Sequence, residues 1–302
     1  MLPTPGFHHL HLNSADPDAA IAWYTRQFPN TRRADWYGYP ALRSPNDVLV
    51  LFDRVDAPPV SEPQSAIWHF GWHVTDARAS LATYQSRPEV PLLPLYTTDA
   101  GGSVLISSDT WPGTGGVPGR TRAQIEAAQR EGIQPAGGGG FVYMTGPDNA
   151  LVEFAGDHPV ERFNHVHLYQ EDVLGALRWY QQHLNAPVRA GVAPPTEAVP
   201  RGLDRSWPAL NREGMFRSPR AGVEFGDVVL TWYPNQGDQP LVSSRGQLQD
   251  HIGLSVADLD AWVDKLHAEG VAFLMRPYQL GDTRAVMIEG PSREVLELVE
   301  VR

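Results

Sequence analysis

The fold is decided by residues 162–184, RFNHVHLYQEDVLGALRWYQQHL, because residues 6–28, GFHHLHLNSADPDAAIAWYTRQF, repeat their plan. In both stretches a histidine opens a short alternating apolar run, an aspartate follows seven residues later, and a Trp-Tyr pair stands seven and eight residues after the aspartate. The histidine and the aspartate alone recur twice more, so the four pairs are His9 with Asp16, His69 with Asp76, His165 with Asp172, and His251 with Asp258. The chain is therefore predicted to contain four related modules.

Each copy is predicted to begin with a strand, a turn and a helix. The alternation of histidine and apolar residues before the aspartate is typical of a half-buried strand. The aspartate stands where a side-chain oxygen can cap the first free N–H groups of a helix. Behind it, Ala20, Trp23 and Tyr24 recur at helical spacing, as do their counterparts in residues 162–184. One stripe of each helix is therefore expected to face a sheet.

Composition indicates a globular protein with a small-molecule ligand. With 302 residues, 42% hydrophobic, 20% charged and 10% aromatic content, the chain can bury two ordinary cores. The formal charge of -11 comes from dispersed acidic residues, which argues for solubility and against a nucleic-acid partner. The absence of cysteine excludes disulfides, thiolate nucleophiles and cysteine-type zinc sites.

The location of the protein is predicted from two features that the sequence lacks, a membrane-spanning segment and a signal peptide. No apolar run is long enough to span a membrane, and the start MLPTPGF lacks the charged and apolar regions of a signal peptide. We therefore expect a cytoplasmic protein without a membrane partner, although an exported protein with its signal removed would begin in the same way. The sequence leaves a homodimer open.

The modules are expected to form an α+β fold of four βαβββ units, paired into two domains with cupped sheets. Residues 1–157 form the first predicted domain, from modules 1–57 and 64–157, and residues 158–302 form the second, from modules 162–240 and 247–302. Module 2 carries an insertion at about 87–140, for which a loop covering a site is favoured over a passive surface excursion. Module 3 carries another at about 187–221. In this scheme module 1 pairs with module 2, and module 3 with module 4.

Each predicted domain contains the same three ligating residues. Two modules end in matching hairpins, in which Gly290-Pro291 corresponds to Gly146-Pro147 and a glutamate follows on the last strand. The resulting candidate triads are His9, His69 and Glu153, and His165, His251 and Glu297. Two imidazoles and one carboxylate with open coordination positions suit Fe(II), Mn(II) or Zn(II), and the open positions would take water and substrate oxygens.

The repeated module, the histidine at the head of its first strand and the GP-x-x-x-x-x-E ending resemble the vicinal oxygen chelate superfamily. This superfamily includes glyoxalases, bleomycin- and fosfomycin-resistance proteins and extradiol dioxygenases, and four modules in one chain is the arrangement of the dioxygenases. The resemblance implies a metal held by two first-strand histidines and one last-strand glutamate, which points to both triads with equal force. Either both triads bind metal or one half is a vestige.

The sequence departs from two patterns of this superfamily. The dioxygenase type has a Tyr four residues before the Pro of the closing turn, where Tyr143 stands in module 2 but Met287 in module 4, and neither module has the His expected ahead of it. The glyoxalase type needs a further Glu on the last strand of modules 1 and 3, which DVLVLF and DVVLTWYP do not provide. We therefore predict a divalent-metal-dependent enzyme, with lyase or isomerase chemistry slightly favoured over ring cleavage. A binding protein that sequesters a small molecule, and a relic with a structural metal, are the alternatives.

Four further side chains are candidates for moving a proton or contacting substrate. They are Tyr143, His11, His73 and His167, and for the histidines such a role stands level with plain packing. The first half is slightly favoured as the catalytic one because it contains the long insertion, Tyr143 and extra histidines. The precedent of the dioxygenases favours the second half.

Overall fold

The computed structural model describes residues 2–57, 59–93, 95–96, 103–104, 130–132, 141–156, 158–191, 196, 221–235 and 239–301. Most of the two predicted insertions, 87–140 and 187–221, lies outside these residues. The covering role expected of the first insertion therefore stays a prediction.

The elements follow the predicted modules. Module 1 contains β1 (Gly6–Ser14), α1 (Pro17–Gln27), β2 (Arg32–Trp36), β3 (Tyr39–Arg43) and β4 (Leu49–Arg54). Module 2 contains β5 (Ile67–His73), α2 (Ala77–Gln85), β6 (Leu92–Leu93), β7 (Leu95–Tyr96), β8 (Ser103–Val104), β9 (Phe141–Thr145) and β10 (Leu151–Ala155). Module 3 contains β11 (Arg162–Gln170), α3 (Val173–Leu184), β12 (Ala221–Phe225) and β13 (Val228–Pro234). Module 4 contains β14 (Gln249–Val256), α4 (Leu259–Ala268), β15 (Tyr278–Leu280), β16 (Thr283–Glu289) and β17 (Val295–Glu300).

The strand–helix opening occurs four times, and the predicted α+β class is confirmed. Each of the four aspartates is the N-cap of its helix and accepts a hydrogen bond from a backbone N–H two or three residues on; the four are Asp16, Asp76, Asp172 and Asp258. Such a cap satisfies one of the N–H groups that a helix leaves free at its start. Three closing strands are complete in modules 1 and 4, whereas the described part of module 3 shows two.

The strands form two large curled sheets whose composition differs from the prediction. The first sheet has the order β15-β16-β17-β14-β1-β4-β3-β2, and the second β12-β13-β11-β5-β10-β9-β6. β1 pairs antiparallel with β14, and β11 pairs antiparallel with β5. Module 1 thus shares a sheet with module 4, and module 2 with module 3. The expected pairing of consecutive modules is wrong, and a division between 1–157 and 158–302 does not separate the two sheets.

The lengths of the connections between modules explain which modules share a sheet. Only residues 156–161 separate β10 from β11, so modules 2 and 3 remain in one sheet. Residues 55–66 and 235–248 are longer, and each carries the chain from one sheet to the other. These two linkers run side by side, since Ser65 forms a parallel bridge with Val242 and the Leu248 N–H donates to the Val60 carbonyl at 3.1 Å.

Consecutive modules still contact each other, but through turns rather than strand edges. Asp148, in the closing turn of module 2, accepts hydrogen bonds from the Ser14 hydroxyl at 2.5 Å and from the Ala15 N–H at 3.1 Å. Ser292, at the same position in module 4, donates to the Gln170 side chain at 2.6 Å. Most of the described buried apolar side chains of both sheets form one contiguous cluster, and a small second cluster contains Ala41, Leu49 and Leu51. None of the helices that the structure describes is long and apolar enough to cross a membrane.

Candidate metal centres

The strand registers bring the predicted ligands together in two clusters. On the first sheet, His9 lies opposite Gly253 and His11 opposite His251, while Glu297 pairs with Gly253 from the other side. On the second sheet, the corresponding register joins His69, His165, His167 and Glu153. We call the cluster of His9, His11, His251 and Glu297 centre 1, and the cluster of His69, His165, His167 and Glu153 centre 2.

All six predicted metal ligands lie in these centres, but in other combinations than the expected triads. His9 and His69 were expected to share a site with Glu153, and His165 and His251 to share a site with Glu297. The structure instead gives His9, His251 and Glu297 in centre 1, and His69, His165 and Glu153 in centre 2. The exchange follows directly from the exchange of modules between the sheets.

In centre 1 three polar atoms converge at short distances. Nε2 of His9 lies 3.3 Å from Oε2 of Glu297 and 3.4 Å from Nε2 of His251, and the third separation, from His251 Nε2 to Glu297 Oε2, is 3.8 Å. Metal–ligand distances of about 2.0–2.2 Å place neighbouring donor atoms roughly 3–4 Å apart. The three atoms are therefore spaced as the ligands of one divalent ion would be.

Centre 2 gathers four polar side chains. Oε2 of Glu153 lies 3.0 Å from Nε2 of His69, 3.6 Å from Nε2 of His165 and 3.9 Å from Nδ1 of His167. The four ligand atoms all lie within 4.8 Å of one another. Nε2 of His165 is buried without a hydrogen-bond partner among the described residues, which is the state of a nitrogen that a cation would satisfy.

Two glycines make this approach of the rings possible. A Cβ atom on Gly253 would lie 2.0 Å from the ring of His9, and a Cβ atom on Gly71 would lie 2.7 Å from the ring of His165. Both glycines stand two residues after the first-strand histidine of their modules, in HFG and HIG. The His-x-Gly pattern therefore provides the space that the histidine of the neighbouring strand occupies.

The protonation of both centres suits metal binding. All eight side chains of the two centres are buried. Burial lowers the pKa of His9, His69 and His167, so their imidazoles stay neutral and keep a lone pair for a cation. Burial opposes the ionisation of Glu153, but His165 and His69 outweigh it and hold the pKa of this carboxyl well below its usual range.

Each glutamate is accompanied by a tyrosine. Tyr143 on β9 is buried, and burial together with the neighbouring Glu153 carboxylate raises the pKa of its hydroxyl. At centre 1 the hydroxyl of Tyr278 on β15 donates to Oε1 of Glu297. Sequence reasoning missed Tyr278, because the motif position is occupied by Met287 and only strand pairing brings β15 beside the site.

The two centres differ in the partners of the histidine ring nitrogens that are not among the converging atoms. At centre 1, Nδ1 of His251 lies 2.6 Å from Oδ1 of Asp250, a carboxylate contact that orients a ligating imidazole. At centre 2 the position of Asp250 is taken by Trp68, and Nδ1 of His69 has no hydrogen-bond partner in the described part of the chain. The two centres are therefore related by the repeat but are not equivalent.

The remaining candidate, His73, lies at the wall of centre 2 rather than among its ligands. It lines a cavity of about 180 Å³ together with Arg189 and Tyr233. Its ring stacks on His158 with centroids 4.8 Å apart, and burial lowers its pKa to about 4. A cavity of about 160 Å³ lies at centre 1.

Comparison with known proteins agrees with this architecture. Residues 162–298 match the sequence model described as the Glyoxalase/Bleomycin resistance protein/Dioxygenase superfamily. Glyoxalase I from Zea mays superposes with a TM-score of 0.62 at 14% identity, over 98% of this chain and 92% of that chain. A putative dioxygenase from Bacillus subtilis subsp. subtilis str. 168 superposes with a TM-score of 0.59 at 12% identity, over 99% and 86%. No curated protein matches the sequence.

The sequence match assigns residues 162–298, which lie in modules 3 and 4, to the Glyoxalase/Bleomycin resistance protein/Dioxygenase superfamily, and nearly the whole chain has the fold of the two solved structures. The resemblance inferred from the repeated motifs is thereby confirmed. At identities of 12% and 14% the structural matches define the fold and leave the reaction to be argued from the site.

Proposed function

We propose that the protein is a divalent-metal-dependent enzyme whose small organic substrate binds the metal through two neighbouring oxygens. The observation that carries this proposal is the convergence of buried imidazole nitrogens and a carboxylate beside a cavity, found twice among the described residues. Fe(II), Mn(II) and Zn(II) all suit such nitrogen and oxygen donors.

The ligating groups would be His9, His251 and Glu297 at centre 1, and His69, His165 and Glu153 at centre 2. When bound, the metal supplies a Lewis acid that polarises the substrate oxygens. The neutral histidines leave the carboxylate as the anionic ligand of each centre. Of the remaining side chains, Tyr278 and His11 at centre 1 and Tyr143 at centre 2 would hold or move a proton at the carbon next to those oxygens.

The burial of these groups favours an enzyme over a protein that only sequesters a molecule. Enclosing several imidazoles and a carboxylate costs free energy unless they are paired or coordinate a cation. A binding site for an organic molecule needs no such cluster. Within the enzyme class, lyase or isomerase chemistry is preferred to ring cleavage, because neither module 2 nor module 4 carries the His of the dioxygenase pattern.

The test is a metal-dependent proton exchange. Metal-free protein is reconstituted separately with Fe(II), Mn(II) or Zn(II) and incubated in D₂O with small α-hydroxycarbonyl compounds, while deuterium incorporation is followed by NMR. A parallel series with catechols records oxygen uptake. We expect deuterium incorporation that requires the metal and is lost in the double variant His9→Ala/His165→Ala, which removes one ligand from each centre. Oxygen uptake without exchange supports the dioxygenase alternative, and failure to bind any metal contradicts the proposal.

A further inference from the structure

We infer that the two centres hold their metals with different numbers of protein ligands. His167 is a fourth ligand at centre 2, whereas its counterpart His11 at centre 1 is directed to Asp53 and leaves a coordination position open. This inference rests on the proposed metal-dependent function and deepens it, because it distinguishes the centre that is more open to substrate.

The repeat shows where a fourth ligand would be expected. Glu153 pairs with Gly71 on its neighbouring parallel strand, and Glu297 pairs with Gly253 in the same way. In modules 1 and 3 the related positions are Leu51 and Thr231. They pair with His11 and His167, which are the second histidines of the HxH motifs HLH and HVH. Neither residue offers a carboxylate. The second histidine of the motif, on the neighbouring strand, can take this place.

At centre 2 His167 is positioned to do so. Its ring centroid lies 4.4 Å from that of His165 and 4.5 Å from that of His69. One of its ring nitrogens is within 4.8 Å of the other three ligand atoms, and its Nδ1 lies 3.9 Å from Oε2 of Glu153. The Tyr233 hydroxyl makes only a long contact of 3.5 Å with this nitrogen. His167 therefore has a nitrogen facing the other ligands with no short hydrogen bond to hold it elsewhere.

At centre 1 the equivalent histidine is engaged differently. The ring of His11 stacks on His251, with centroids 4.4 Å apart and an interplanar angle of 29°. One ring nitrogen of His11 lies within 4.8 Å of ligand atoms of His9 and His251, but Glu297 is not part of that group. The Nε2 of His11 lies 3.2 Å from Oδ2 of Asp53 and makes no hydrogen bond among the described residues. Among the described residues no ion pair joins His11 to Glu297, although His167 is paired with Glu153 in centre 2.

The difference traces to one position of the repeat. Asp53, opposite Asn13 on β1, corresponds to Tyr233, opposite Tyr169 on β11. A carboxylate at this position attracts the second imidazole of the HxH motif. A phenol at the same position leaves that imidazole free to bind a cation. Centre 2 is thus expected to bind metal with four protein ligands and centre 1 with three, so centre 1 offers one more position to substrate oxygens.

Cobalt(II) binding to the full-length chain tests this directly, because its visible absorption reports the ligand number. His9→Ala isolates centre 2 and His165→Ala isolates centre 1, and each parent is titrated with Co(II) alone. In the His9→Ala parent, adding His167→Ala should weaken Co(II) binding by at least about tenfold and change the spectrum, since loss of even a supporting partner costs about 10–100-fold. In the His165→Ala parent, the matched change His11→Ala should leave the form of the Co(II) spectrum unchanged, because it removes no ligand, even where the loss of its stacking on His251 weakens binding.

A second variant keeps the test decisive if His167→Ala disturbs folding. Asp53→Tyr in the His165→Ala parent should free His11 for centre 1, strengthen Co(II) binding and shift the spectrum toward that of centre 2. Far-UV circular dichroism checks that each variant is folded. An unchanged spectrum on His167→Ala in a folded protein, whatever the change in affinity, or no effect of Asp53→Tyr, overturns the inference while the metal function stands. Absence of Co(II) binding in both parents overturns the proposed function itself.

Discussion

At the scale of single residues, a pair of buried tyrosines shows how one substitution in the repeat changes a hydrogen bond. The Tyr180 hydroxyl lies 2.9 Å from Oε1 of Glu294 and donates to it. Its counterpart Tyr24 is equally buried, but its hydroxyl has no hydrogen-bond partner within the described part of the chain. The position of Glu294 is occupied by Ala150 in module 2. The same tyrosine is therefore satisfied in one half and unsatisfied in the other.

The two tyrosines are predicted to respond oppositely to loss of the hydroxyl. Tyr180→Phe should lower the free energy of unfolding by about 1–3 kcal/mol, because it leaves a buried carboxyl one donor short. Tyr24→Phe should be neutral or stabilising, because it removes a hydroxyl that was desolvated without a partner. Urea unfolding of the two variants measures both values. Equal destabilisation by both substitutions would show that Tyr24 has a partner.

The carboxyl of Glu294 is predicted to make stability depend on pH. Burial raises its pKa above the ordinary value of 4.5, so the folded protein binds its proton more tightly than the unfolded chain does. The stability contributed by this proton is complete below the unfolded pKa and is lost as the pH rises through the folded pKa. Glu294→Gln cannot titrate, so its stability relative to wild type should increase over that interval. Urea unfolding with chelator, from about pH 5 to about pH 8, compares the two proteins; a constant difference would contradict the prediction.

At the scale of elements, each centre depends on the close pairing of an HxH strand with an HxG strand. The antiparallel registers of β1 with β14 and of β11 with β5 place a histidine ring above a glycine in both sheets. Because side chains alternate along a strand, the first and third residues of each motif face the same side. Each pair of strands thus provides the candidate ligands and also, at the glycine, the space for the histidine ring of the other strand.

Alanine at either glycine is predicted to disable one centre and spare the other. Gly253→Ala places a Cβ atom at 2.0 Å from the His9 ring and should abolish metal binding at centre 1. Gly71→Ala should do the same at centre 2, where the added atom also meets the Glu153 carbonyl at 2.4 Å. Overpacking of this kind costs roughly 1–3 kcal/mol of stability. Each variant is the other's control in a Co(II) titration, and loss of both metals from one variant would contradict the prediction.

At the scale of the whole molecule, the two sheets combine modules that are not consecutive in the chain. Centre 1 joins the first and last modules, and centre 2 joins the two middle ones. The linkers at 55–66 and 235–248 lie side by side where the chain passes between the sheets. The closing turns of modules 2 and 4 then pack against the helix starts of modules 1 and 3, so consecutive modules support each other without sharing a sheet.

Much of this organisation was predictable from the repeated motifs. The four strand–helix openings, their aspartate caps and the four candidate histidine ligands follow from one pattern, because the same local physics acts at each copy. The two candidate glutamate ligands follow from the matching closing hairpins. The partner of each module was not predictable from the motif, since modules 1 and 3 carry the same HxH and modules 2 and 4 the same HxG. The short connection at 156–161 was the one signal available. Tyr278 and Asp53 escaped notice because only the pairing of distant strands brings them to centre 1.

The central claim is that metal lies between modules 1 and 4 and between modules 2 and 3. The most direct measurement is the metal content, by elemental mass spectrometry, of two double variants purified without an affinity-metal step. His9→Ala/His251→Ala removes two ligands from centre 1 and should retain one metal per chain at centre 2. His9→Ala/His69→Ala removes one ligand from each centre and should retain none. If His9→Ala/His69→Ala keeps one metal and His9→Ala/His251→Ala keeps none, consecutive modules form the centres and the architecture described for this protein is contradicted.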